Sequence, residues 1–172
     1  MDIVQNSIAA GATLVEVDIK EEPEADILEF SVTDNGCGMD EDTLARVVDP
    51  YTTGRTTRRV GLGIPLLKHA AQSTGGELSL WSKPKVGTKV TASFGYRHID
   101  RAPLGDMAQT MLQLFTSFED VDFVYRHKIK DKEFFADTRE IKNILNGVSL
   151  KNPEVVLWLS EYLKENEDDI KM

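Results

Sequence analysis

The chain has 172 residues, 41% of them hydrophobic and 28% charged, with a net charge of -9 and a pI near 4.8. That length allows one good core and a small appendage, and the acidic balance argues against a nucleic-acid-binding face, which needs a basic patch. No apolar run reaches membrane-spanning length, Met1-Asp2 does not open a signal peptide, and the lone Cys37 can form no internal disulfide, so a cytoplasmic location is expected.

Taken in chain order, residues 2–10 read as a short helix with Ile3, Val4 and Ile8 on its apolar stripe and Gly11 at its end. Asp2 and Asn6, four apart, share one of its faces, and Asp2 also stands where a helix N-cap is expected. Residues 27–33 alternate as a half-buried strand, with Leu28, Phe30 and Val32 on one side and Ile27, Glu29 and Ser31 on the other. Asp34 therefore ends the strand and opens Asp34-Asn35-Gly36-Cys37-Gly38-Met39, a carboxylate followed by two glycines one residue apart. Glycine lets backbone approach a ligand closely, and a carboxylate there can accept a hydrogen bond from an exocyclic amine. Alone, the hexapeptide serves equally as an ordinary turn, because Asp, Asn and Gly are the commonest turn residues. Cys37 has no positive neighbour and reads as a small space-filler rather than a nucleophile.

Further along, Val60-Gly61-Leu62-Gly63 leads into a helix with the stripe Leu62, Leu66, Leu67, Ala70 and Ala71, Pro65 being tolerated in its first turn. Backbone amides at such a helix start can hold phosphate. His69 on this helix is expected to be a packed or capping side chain. Strands follow at 77–81 and 88–94 around the turn 83–87, with Val90, Ala92 and Phe94 inward. The last third reads as an amphipathic helix over 106–118 and then strands over 121–129 and 132–136 joined at Lys130-Asp131. Asp137 and Glu140 form an acidic capping box for a helix closed by Gly147, and Asn152-Pro153-Glu154 starts a final helix whose acidic tail, 165–169, is expected to fray.

Four of these pieces, in order, resemble a known family. Asp2 to Thr13, DIVQNSIAAGAT, is similar to the N-box of the GHKL ATP-binding domain shared by gyrase B, heat-shock chaperones, histidine kinases and MutL, and its NSxxAGAT wording is nearest to MutL. DNGCGM resembles the first glycine box, DPYTTGR the histidine-kinase F-box, VGLGIPLLKHAAQSTGGELSLWS the kinase second glycine box, and GTKVTASF the closing strand. A lone glycine motif is weak, whereas ordered boxes at these spacings are specific. The resemblance implies an α+β fold, a two-layer sandwich of a mixed sheet packed by helices (the Bergerat fold), over residues 1–96; it does not reach 97–172, whose apolar stripes read as a small α/β extension packed on that sheet rather than as a partner groove.

The resemblance also implies roles. Asn6 would ligate Mg²⁺ bridging the ATP phosphates, a hard cation that takes oxygen ligands. Asp34 would read the adenine amino group, Gly36 and Gly38 would line the adenine slot, and Thr88 would support the same network. Gly61, Leu62 and Gly63 would bind the nucleotide and let a lid over 49–60 close, in which Arg55, Arg58 and Arg59 read as solvated loop charges rather than ligands. Asp2 fills the place of the acid that activates water in GHKL hydrolases, with a shorter side chain than the usual Glu. Only five residues precede Asn6, fewer than the family's N-box helix has, so a truncated start or a less rigid site is expected, and no room remains for a phosphoacceptor hairpin. Among the family's functions, the kinase-like boxes favour a stand-alone, Mg-ATP-dependent kinase module acting on a protein partner or phosphoacceptor. A MutL-like switch or an ATP-sensing module with little turnover is the alternative.

Overall fold

Residues 14–22 alternate as strictly as any in the chain: Val15, Val17 and Ile19 are at most 2% exposed, while Glu16, Asp18 and Lys20 lie on the opposite side of the pleat. In the computed structural model, which describes residues 1–48 and 63–172, they form a strand that the pattern reading above passed over. It is β1 (Leu14–Glu22), preceded by α1 (Asp2–Ala9) and followed by β2 (Ile27–Asp34), α2 (Glu41–Val48), α3 (Gly63–Ser73), β3 (Leu78–Lys83) and β4 (Gly87–Gly95). The remainder is α4 (Met107–Ser117), β5 (Asp122–Ile129), β6 (Lys132–Asp137), α5 (Thr138–Leu145) and α6 (Pro153–Lys171).

The strands make one mixed sheet in the order β3-β4-β2-β1-β5-β6, antiparallel throughout except where β1 and β5 run parallel. Register carries one apolar row across all six: Leu80, Val90, Val32, Val17, Tyr125 and Ala136. Burying one such side chain stabilises by about 1.5–3 kcal/mol, and a slip of one residue would turn the whole row to solvent, so register is set by this face. The α+β fold, a mixed sheet packed by helices, is thus as expected. Residues after Gly95 add β5 and β6 to the sheet that β1 to β4 begin, and α4 packs against α6.

Local details depart from the pattern reading in four places. The inward stripe of α3 is Ile64, Leu67 and Ala71, while Leu66 is 61% exposed and Ala70 and His69 face solvent, because the helix begins at Gly63 and its register follows Ile64. Helix α5 is closed by Asn146 in the left-handed conformation (φ 48°), with Gly147 the next residue. At its start Asp137 accepts from the Arg139 amide and pairs with the Arg139 guanidinium, so Arg139 takes the place a capping box would give Glu140. The acidic tail does not fray: α6 continues to Lys171 because Glu167 and Ile170 are buried.

Candidate functional site

Two residues further toward the end of β2 the inward row turns polar: Ser82, Thr88 and Asp34 stand side by side on β3, β4 and β2. Ser7, a polar residue on the apolar face of α1 and only 4% exposed, donates to Asp34 Oδ2 at 2.6 Å. The Gly36 amide donates to Asp34 Oδ1 at 2.9 Å. Both oxygens are thus oriented by the protein, and each keeps a lone-pair site for a further donor.

The loop after Asp34 is held from three sides. Asn35 Oδ1 accepts from the amides of Thr13 and Leu14 at 2.9 and 3.0 Å, and its Nδ2 donates to Thr13 Oγ1. The Cys37 amide donates to the Ala10 carbonyl at 2.9 Å, and the Cys37 carbonyl accepts from Lys85 at 2.7 Å. Ser82 Oγ accepts from the Met39 amide at 2.8 Å and meets Thr88 Oγ1 at 2.9 Å, so Thr88 reaches the loop through Ser82.

Glycine is required where the two turns touch. A Cβ on Gly38, whose φ is +65°, would stand 2.0 Å from the Lys83 carbonyl oxygen, and one on Gly87, φ +139°, 1.9 Å from that of Asp34. Gly38 therefore seats the β3–β4 turn, and Gly36 sits buried between Ala10 and the Asp34 carboxylate. Cys37 is exposed, so it fills no space in the core.

Helix α1 presents Asp2 and Asn6 to solvent. The N-cap position belongs to Met1, with no side-chain capping bond, so Asp2 is a first-turn acid rather than the cap its position suggested. Its Cβ lies 2.9 Å from where a Cβ on Gly63 would stand, which sets the start of α3 against the first turn of α1. Gly61, Leu62, Arg55, Arg58 and Arg59, with the segment 49–60, lie outside the described residues.

A helix face with Asp2 and Asn6, an oriented carboxylate at a strand end, and a helix N-terminus therefore converge on one end of the sheet. Residues 1–98 match the family described as histidine kinase-, DNA gyrase B- and HSP90-like ATPase. The chain belongs to this ATPase family. Its similarity is to sensor kinases in particular. It is 32% identical over 97 residues to the sensor-like histidine kinase SenX3 of Mycolicibacterium smegmatis, covering 54% of this chain and 25% of that protein. It is 40% identical over 91 residues to the sensor protein kinase FleS of Pseudomonas aeruginosa, covering 53% and 22%. The non-motile and phage-resistance protein of Caulobacter vibrioides is 31% identical over 110 residues, 59% of this chain and 13% of that one. The chain thus spans a quarter or less of these relatives. Among the described residues, no helix is long and apolar enough to cross a membrane.

Pattern reading gave no role to three residues that brace Asp34 and its loop: Ser7, Asn35 and Ser82. Ser7 could have been found, since a polar residue one turn beyond Ile3 and Val4 on a buried stripe needs a partner. Ser82 gave no signal, because its role depends on a pairing that only the folded sheet makes.

Proposed function

We propose that this chain is an Mg-ATP-binding, histidine-kinase-like module that passes a phosphoryl group to a partner protein. The observation that carries the reading is the Asp34 carboxylate, held at the end of β2 by Ser7 and Gly36 within an ATPase-family match. Asp34 would accept from the adenine amino group through the lone pairs that Ser7 and Gly36 leave free. Gly36 and Gly38 would place backbone beside the base, and Thr88 with Ser82 would hold that loop. Asn6, exposed on α1, fits a single oxygen ligand to Mg²⁺, an ion that takes its other ligands from phosphate and water. Bound Mg-ATP would supply the transferable phosphoryl group. Gly61, Leu62 and the Gly63 amide at the start of α3 would face its phosphates, and Asp2, beside Gly63, would orient water in a side hydrolysis. Residues 1–96 would be the nucleotide unit and 97–172 its attached extension.

Support for transfer over a MutL-like switch comes from the relatives, which are named as sensor kinases. The deciding experiment has two steps. ATP binding is measured by calorimetry with and without Mg²⁺, and γ-labelled ATP is then incubated with the chain and cell extract. Label on a discrete acceptor supports transfer. Tight Mg-dependent binding with no label and no hydrolysis leaves an ATP-sensing module, and no binding removes the nucleotide reading.

A further inference from the structure

On the part of the molecule beyond the family match, α5 and α6 leave an apolar face uncovered. Ile144 is 75% exposed, Leu157 63% and Trp158 42%. Between these helices and β6 lies a cleft of about 130 Å³ walled by Ile141, Ile144, Trp158 and Tyr162. An apolar cavity of about 150 Å³ takes up a benzene-sized group, so this one fits a single aliphatic side chain. Its aromatic wall is preset: Trp158 stacks on Tyr162 at 5.4 Å and 14°, and Tyr162 is backed edge-on by buried Phe134 at 5.7 Å. A fixed, half-exposed Trp beside a cleft is what binding hot spots are made of.

The rim is acidic. Glu140 lies in the cleft lining, and its charge adds to burial in raising the Tyr162 hydroxyl. Glu154 and Glu161 stand one helical turn to either side of Leu157 and Trp158, on the same exposed side of α6. Among the described residues no ion pair includes Glu140, Glu154 or Glu161, whereas the other acid of the lining, Asp137, is neutralised by Arg139. A second copy of this chain does not complement such a surface, since a two-fold contact would set one acidic rim against the other.

We propose that this face docks a basic peptide segment of a partner protein, with an aliphatic side chain in the Trp158 cleft and Lys or Arg on the Glu140, Glu154 and Glu161 rim. The inference is independent of the nucleotide reading, because none of these residues belongs to the ATP site.

A random peptide library displayed on phage and selected on the full chain tests it. Enriched peptides should carry Leu, Ile or Met beside Lys or Arg. Synthesised singly, they should shift Trp158 fluorescence in a Trp81→Phe background and weaken as salt is raised. Ile144→Asp and the reversal Glu140→Lys with Glu161→Lys change exposed positions and should keep the melting temperature, yet each should weaken binding about tenfold or more. No enrichment, enrichment of neutral or acidic peptides, or unchanged affinity for Ile144→Asp would overturn the proposal. So would a dimer in sedimentation that Ile144→Asp disperses, since a second copy would then occupy the face.

Discussion

Asp34 holds Ser7 in the fold, the proposed function adds contact with adenine, and a substitution separates the two. Its Oδ2 is the near partner of the buried Ser7 hydroxyl, whose other acceptor, the Ile3 carbonyl, is 3.4 Å away. Asp34→Ala should therefore cost about 1–3 kcal/mol of stability by stranding that hydroxyl. It should also lower ATP affinity about 10 to 150-fold through a lost charge-assisted bond of about 1.5–3 kcal/mol. Adding Ser7→Ala should restore part of the melting temperature and none of the affinity, as calorimetry would show. GTP, which sets a carbonyl oxygen against the carboxylate, should bind worse than ATP to the unaltered chain, and equal affinities would sink the adenine assignment. Asp2→Asn asks a different question. Asp2 makes no capping bond, and only its interaction with the helix dipole, about 0.3–1 kcal/mol, is at stake in the fold. If Asp2 orients water, the substitution should cut ATP hydrolysis about 100-fold and leave transfer to a protein acceptor intact. Unchanged hydrolysis would take Asp2 out of the chemistry. At this end of the sheet the sequence singled out the residues that a motif names, such as Asn6, Asp34 and Gly36. Those supplied by tertiary pairing, such as Ser82 through its bond to Met39, it did not.

Helix α6 is tied to the sheet through a buried histidine. His127 on β5 is fully buried, with Nε2 2.9 Å from Glu21 of β1 and Nδ1 3.0 Å from Glu167 of α6, and the Tyr125 hydroxyl donates to the same Glu167 at 2.6 Å. Two ring nitrogens facing two carboxylates call for the doubly protonated imidazolium. Burial pulls the His127 pKa down, but Glu167 and Glu21 outweigh it and hold it above the ordinary 6.5. The hydrogen bond from His127 lowers Glu21; burial raises Glu167, but its bonds to His127 and Tyr125 bring it below 4.5. Tyr96 and Arg101 also face Glu21, and Lys171 reaches Glu167 at 3.2 Å. A raised histidine stabilises fully below 6.5 and loses that contribution as pH rises through its folded value. The lowered glutamates stabilise above 4.5 and lose theirs as pH falls through their folded values. Stability from this cluster should therefore peak between those limits. His127→Gln should remove the decline on the alkaline side and cost about 3–5 kcal/mol at the peak, read from melting curves across pH and from amide exchange in α6. An alkaline limb that survives the substitution would mean another group titrates there. Elements were legible wherever caps and period agreed, as with Asp106, which accepts from the Gln109 amide, and Asn152, which accepts from that of Glu154. The end of α6 was misread because four acids in five residues, 165–169, look solvated, and composition does not reveal that one of them, Glu167, has a buried histidine as partner.

At the scale of the molecule, the family match ends at residue 98 while the sheet does not. Cutting after Tyr96 would strip β5 from β1 and uncover one flank of Val15, Val17 and Ile19. The truncated chain should aggregate or lose cooperative melting, and the full chain should unfold in one transition by fluorescence and circular dichroism alike. Separate transitions would instead make 97–172 an autonomous unit. The parallel joining of β1 to β5 also fixes when the molecule can be finished on the ribosome. Asp18 must wait for Arg126, 108 positions later, before its strand has a second neighbour. At about 5–20 residues per second, that wait is on the order of 5 to 20 s. During that interval β1 is an open edge able to pair with another nascent chain, so slow translation or crowding on a polysome would be felt first in the ATP-binding half, through a strand that the other half has not yet arrived to cover.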